Sequence, residues 1–187
     1  MTEMTLEQWA ELPEDVGGEL VDGRLEEEEV PTLVHETVVS WLVGKLEAWA
    51  ASSGAWVFGS EGKYAVGAKT GRKPDVVVYL ASNPPRQPRG VVRTPPDVVV
   101  EVISERARDR TRDRIEKAKD YAAFRVSVYV LVDPDARSFE VFELDKKRWV
   151  LASAITRGVV TLRGCEGLAL EIGELWARID RLEKGAE

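Results

Sequence analysis

Cysteine is nearly absent from this chain. Cys165 is the only one in 187 residues, so no intramolecular disulfide can form, which suits a reducing compartment. No apolar run approaches the length of a membrane span. Met1-Thr2-Glu3-Met4 carries neither a basic segment nor an apolar signal region. A basic excess is also missing: 26 Lys and Arg stand against 33 Asp and Glu, for a formal net charge of -7. That balance argues against a general nucleic-acid binder, although a local basic face remains open. Internal repeats, low-complexity segments and an interdomain linker are all lacking. The expectation is a cytoplasmic protein forming one domain over residues 1–187.

What is present is enough apolar material for a sizeable core, at 44% of the chain. Two acids interrupt it. Asp75 lies in Lys73-Pro74-Asp75, ahead of the run Val76-Val77-Val78-Tyr79-Leu80, and Glu101 follows Val98-Val99-Val100. A buried carboxylate is costly unless it is paired, hydrogen-bonded or bound to a cation. Two such acids on neighbouring strands form an oxygen-rich site suited to Mg2+ or Mn2+.

The chain order places these acids. Residues 5–12 read as a short helix with Thr5 as N-cap, and 19–25 as a hairpin turning at Asp22-Gly23. The acidic run 26–29 reads as a solvated edge. Residues 32–51 form a long helix with Val34, Val38, Trp41, Leu42, Leu46 and Trp49 at helical spacing, stopped by Ser52-Ser53-Gly54. Strands are expected at 56–59, 63–66, 74–80 and 96–103, with a Pro- and Arg-rich loop over 82–95. A second helix spans 105–124, a buried strand 126–132, a hairpin 138–154, and a terminal helix 173–183. The strand–helix–strand step from 96 to 132 implies a parallel pair with a right-handed crossover. The fold class is α/β (α+β), a mixed central sheet flanked by helices with an added antiparallel strand pair. The N-terminal helix and hairpin (about 5–28) and the C-terminal helix (about 173–184) are appendages.

This ordered set resembles the PD-(D/E)XK nuclease superfamily and, more closely, the Uma-type family of restriction-endonuclease-like proteins. The residues carrying the resemblance are Glu19-Leu20-Val21-Asp22-Gly23, His35, Pro74-Asp75, Pro96-Asp97 through Glu101-Val102-Ile103-Ser104, Arg112 through Lys117, Tyr121, and Tyr129 through Pro134. The resemblance implies a restriction-endonuclease-like core in which Asp75 and Glu101 ligate Mg2+ or Mn2+. It also implies a lysine two residues after the glutamate, where this chain has Ile103. The following helix offers substitutes. Asp113, Lys117 and Tyr121 form one stripe at spacing four. Thr111, Ile115, Ala118 and Ala122 form a more apolar stripe bordered by Lys119. Periodicity leaves both lysines open, and the family register places the role on Lys117.

Each residue also has a plainer reading. Asp75 can cap backbone amides, Glu101 can pair with an arginine, and Lys117 can pair with Asp113 along the helix. His35 reads as a cap or packing residue before it reads as an acid, base or metal ligand. Glu19 is an additional candidate acid for the metal site. Arg108, Arg110, Arg112 and Arg114, with Arg86, Arg89 and Arg93, can grip phosphate or form a solvated ion-paired face.

The function expected is a Mg2+-dependent endonuclease hydrolysing DNA, with a homodimer built through the 138–154 hairpin and the terminal helix. The alternative is a catalytically inactive nuclease-fold protein that binds nucleic acid or a protein partner. Ile103 and the acidic net charge motivate it.

Overall fold

The computed structural model describes residues 3–13, 16–27, 30–103 and 112–185, Arg112 and Asp113 by their backbone alone. Helix α1 (Leu6–Ala10) opens with a reciprocal cap: Gln8 N donates to Thr5 Oγ1 and Thr5 N to Gln8 Oε1. Strands β1 (Glu19–Val21) and β2 (Arg24–Glu26) follow, joined by Asp22 and Gly23, both at positive φ. Helix α2 (Leu33–Ser53) begins at the Thr32 cap and ends at Gly54 in the left-handed region. Short strands β3 (Trp56–Phe58), β4 (Tyr64–Ala65) and β5 (Gly71–Arg72) lead to β6 (Val76–Tyr79) and β7 (Val98–Val102).

The second helix enters the described residues as a π-helical turn, Arg112–Lys117, and continues as α3 (Ala118–Phe124). Its expected first part, 105–111, lies outside the described residues. The chain then runs through β8 (Val128–Asp133), β9 (Ser138–Asp145), β10 (Arg148–Ile155), the small ribbon β11 (Val159–Val160) and β12 (Leu170–Glu171), and α4 (Ile172–Lys184).

The main sheet has the order β10-β9-β8-β7-β6-β3, with β7 and β8 its parallel pair. This is the mixed sheet expected from the sequence. Its central strands read as unbroken valine runs because both faces are covered. One face presents Val76, Val78, Val98, Val100, Val102, Val128 and Val130 to α2 and α4. The other presents Val77, Tyr79, Val99, Ile103, Tyr129 and Leu131 to Tyr121 of α3.

The sequence reading missed one layer. β2, β1, β5 and β4 form a separate four-stranded sheet, closed by α1. Two-residue strands carry too little period to be seen. Trp9 is fully buried in this layer and its indole donates to Gly18 O at 3.0 Å. A Cβ on Gly71 would fall 2.3 Å from the Trp9 ring, so only glycine permits this approach. The 82–95 loop is also tied down: Val92 exchanges backbone bonds with Lys63 and Ala65.

Candidate active site

The small sheet and the main sheet meet where the acids lie. Asp75 precedes β6 by one residue. The β6–β7 register pairs Val76 with Val100, so one step further Asp75 stands across from Glu101. Asp75 Oδ2 accepts from Val102 N at 2.7 Å, and Oδ1 lies 3.2 Å from His35 Nε2. Asp75 is not fully buried as its neighbouring run suggested; it sits at the open end of the strand, partly exposed. His35 reaches it from the first turn of α2, with its own N–H capped by Thr32. Burial opposes its protonation, but the hydrogen bond and charge of Asp75, with help from Glu36, raise its pKa above the ordinary value. Among the described residues its Nδ1 has no hydrogen-bond partner, with Glu36 Oε1 3.7 Å away.

Glu101 is buried on β7 and held by the following helix. Lys117 Nζ donates to Oε2 at 2.8 Å and the Tyr121 hydroxyl donates to Oε1. Lys117 is only 4% exposed, an expensive position for an ammonium unless it is paired. Burial and then the Glu101 charge push the Tyr121 phenol well above its usual pKa, so it remains a donor. Ile103, in place of a strand lysine, packs in the apolar cluster of the same face.

Glu19 forms the third corner, at the start of β1. Its Oε1 accepts from Lys73 N at 2.9 Å and lies 3.5 Å from Lys117 Nζ, while Oε2 accepts from Arg72 at 2.7 Å. Burial raises its pKa, but Lys117, Arg72 and the Lys73 amide together outweigh burial and hold it below the ordinary value. Arg72 is itself buried on β5. It bonds Asp120 of α3 through Nε at 2.8 Å and a terminal nitrogen at 2.7 Å. The guanidinium thus ties the small sheet to the helix that carries Lys117. Neither Arg72 nor Asp120 was singled out in the sequence, because burial of a charged residue in a segment without apolar period leaves no linear signal.

The sequence left the helix phase open between two stripes. Ile115, on the more apolar stripe bordered by Lys119, is 50% exposed, while Lys117 and Tyr121 point inward. The π-helical turn over Arg112–Lys117 widens the helix and rotates the phase that a regular α-helix would have set. Lys119 is exposed and is not brought to the acids. Arg114 does not offer a phosphate fork either. Both its terminal nitrogens bond Glu140, at 2.9 and 3.0 Å, and it lies 3.8 Å from Asp133. Arg108 and Arg110, and the side chain of Arg112, lie outside the described residues.

Among the described residues, no three acidic, imidazole or thiol groups converge as a metal cage. Asp75 and Glu101 still offer hard oxygen donors from facing positions. Mg2+ in phosphoryl-transfer sites is commonly held by one or two carboxylates with water and substrate oxygens completing the shell. The donor set therefore fits such an ion, provided Glu101 shares an oxygen now bonded by Lys117 or Tyr121.

Comparison with known proteins gives a family model, Uma2: Putative restriction endonuclease, matching residues 4–175. Among solved structures, the chain is similar to a crystal structure of a putative nuclease belonging to DUF820 from Anabaena variabilis ATCC 29413. The TM-score is 0.73 at 21% identity, covering 93% of this chain and 98% of that one. The two share a fold. No curated protein matches the chain. No helix among the described residues is long and apolar enough to cross a membrane.

Proposed function

The chain belongs to the Uma2 family, described as putative restriction endonucleases, and on that footing we propose that it is a PD-(D/E)XK-type nuclease. It hydrolyses phosphodiester bonds in DNA with the help of Mg2+ or Mn2+. The observation that carries the reading is the buried Lys117–Glu101 pair facing Asp75. An ammonium kept at such a depth is the cation that Ile103 fails to supply. The whole chain, 1–187, acts as one nuclease unit, and a cytoplasmic setting and a homodimer able to address two strands complete the proposal.

Asp75 and Glu101 would hold the metal ion, which when bound supplies Lewis acidity for activating water and offsetting phosphate charge. The remaining work falls to the protein. Val102 N–H fixes the Asp75 carboxylate, and Tyr121 fixes that of Glu101, so neither acid has to be ordered when substrate arrives. Lys117 carries three donors; it orients Glu101 and donates to the phosphoryl oxygen that gains charge as the bond to the leaving oxygen breaks. Glu19 and Arg72 hold the lysine and its helix in place. His35 shares Asp75 with any bound ion and holds that carboxylate most strongly while protonated.

The test is nicking of supercoiled plasmid DNA with Mg2+ or Mn2+ by wild type, Asp75→Asn and Glu101→Gln, with Mn2+ binding followed by calorimetry. Wild type should nick and both variants should not. Equal nicking in all three would remove the acids from the reaction. A second reading, a nuclease fold that only binds, is favoured by one fact: both Glu101 oxygens already have donors. It predicts no Mn2+ binding and no nicking.

A further inference from the structure

A groove of about 1130 Å3 opens between α1, β3 and the 82–95 loop, and its lining includes Gly18 and Lys73, chain neighbours of Glu19 and of Pro74-Asp75. It is larger than the usual small-molecule site of roughly 300–1,000 Å3. Trp56 and Phe58 line it from β3 and are 52% and 41% exposed. β3 is the edge of the main sheet. Bulky aromatics exposed on a sheet edge invite unwanted pairing, so an exposed pair needs an occupant to explain it.

The face they occupy matters. Val57 pairs with Val78, and both belong to the core on the α2 side. Trp56 and Phe58 therefore stand on the other face, with Tyr79 and Val77. Glu101 shares that face, alternating with Val100 and Val102. Phe58 lies opposite Val77, two residues from Asp75, about 7 Å along the strand. Trp56 is about the same distance further on. Phe58 is also braced edge-on against Tyr79, whose hydroxyl is fixed by Thr94 O at 2.7 Å.

The charge of the groove is opposite to that of the chain. Its described lining includes Lys63, Lys73 and Arg89 against Glu61 alone, while the chain carries -7. Lys73 Nζ pairs with Glu61 at 2.8 Å, and Lys63 Nζ bonds the Trp9 and Ala10 carbonyls. Glu14 and Asp15 of the adjoining segment lie outside the described residues. Lys73 also joins the groove to the acids, since its backbone N–H donates to Glu19.

Aromatic faces in series beside cations are the chemistry that holds unpaired nucleotides, because every base offers a face to stack on and every link carries a phosphate. We propose that this groove binds a single-stranded segment of nucleic acid, with bases stacked on Trp56 and Phe58 and phosphates beside Lys73 and Arg89. The segment would run toward Asp75. The inference rests on the nuclease reading for its purpose and gives that site its substrate class: strands with an unpaired region rather than continuous duplex.

Binding can be separated from cutting. Anisotropy of a fluorescein-labelled oligothymidylate is measured in EDTA, with its oligoadenylate duplex as the comparison, for wild type, Glu101→Gln, Trp56→Phe and the double variant Trp56→Ala/Phe58→Ala. Wild type and Glu101→Gln should bind the single strand more tightly than the duplex. The double variant should lose about tenfold or more in affinity for the single strand, with tenfold equal to about 1.4 kcal/mol. Trp56→Phe, which keeps a stacking face, should stay close to wild type. An unchanged affinity in the double variant, or no single-strand binding by wild type, overturns the inference. Dimerisation seen by sedimentation that the double variant abolishes, without oligonucleotide binding, would assign the groove to a second copy and overturn it too. Loss of the nuclease reading looks different: intact single-strand binding with no nicking in Mg2+ or Mn2+.

Discussion

Arg72→Met should unseat the site while leaving every proposed catalytic group in the chain. Arg72 makes one bond to Glu19 and two to Asp120, and it is buried. Asp120 is 28% exposed in its side chain and recovers solvation, so its share of the loss is small. Glu19 is buried and regains nothing from solvent, though it keeps Lys117 and the Lys73 amide. Removing one partner of a buried ion pair costs about 3–5 kcal/mol. For a chain of this length that lowers the melting temperature by roughly 6–20 °C.

The pH dependence identifies the cause. In the wild type, Glu19 is held below its usual 4.5. Its ionised form therefore stabilises the fold above 4.5, and that contribution is lost as pH falls through the lower folded value. Without Arg72, Lys117 and the Lys73 amide still favour the carboxylate, but burial is opposed less strongly, so Glu19 takes up its proton at a higher pH than in the wild type. The deficit of the variant should be greatest at neutral pH and shrink on mild acidification. Urea unfolding of wild type, Arg72→Met and Arg72→Met/Glu19→Gln at neutral and mildly acidic pH measures it. The double variant should recover much of the loss at neutral pH. A deficit that is the same at both pH values, or no recovery in the double variant, would refute the account of Arg72 as the counter-charge of Glu19.

Three further outcomes are expected. Lys117→Met should cut nicking by roughly 10²–10³-fold, the loss of one aimed donor, whereas Lys119→Met should nick like wild type; the reverse ranking would reinstate Lys119. His35→Gln should lose about 1 kcal/mol relative to wild type at pH below the usual 6.5. That difference should fade as pH rises through the raised folded value, and urea unfolding across pH would expose a flat or growing difference as a failure. Gly71→Ala should destabilise by about 1–3 kcal/mol through overpacking against Trp9 and alter tryptophan fluorescence; an unchanged melting curve would mean that the ring moves aside freely.

Much of this molecule could be read from the linear chain because the determinants are local. The valine runs of β6, β7 and β8 announce strands covered on both faces. Thr5, Thr32 and Gly54 mark helix ends through bonds to residues within a turn, and Asp22-Gly23 fixes its hairpin through backbone conformation alone. The order of these elements, with Asp75 and Glu101 at strand ends, was enough to suggest the mixed sheet and the pair of acids. What only tertiary structure decided is which charges meet. Lys117 and Lys119 are two residues apart and look equivalent in one dimension, yet the π-helical turn buries one against Glu101 and leaves the other in solvent. Arg72 is unmarked in sequence and becomes the link between two sheets and a helix. Spacing along the chain specifies local hydrogen bonds, but the cost of burying a charge depends on the partners the rest of the fold brings to it.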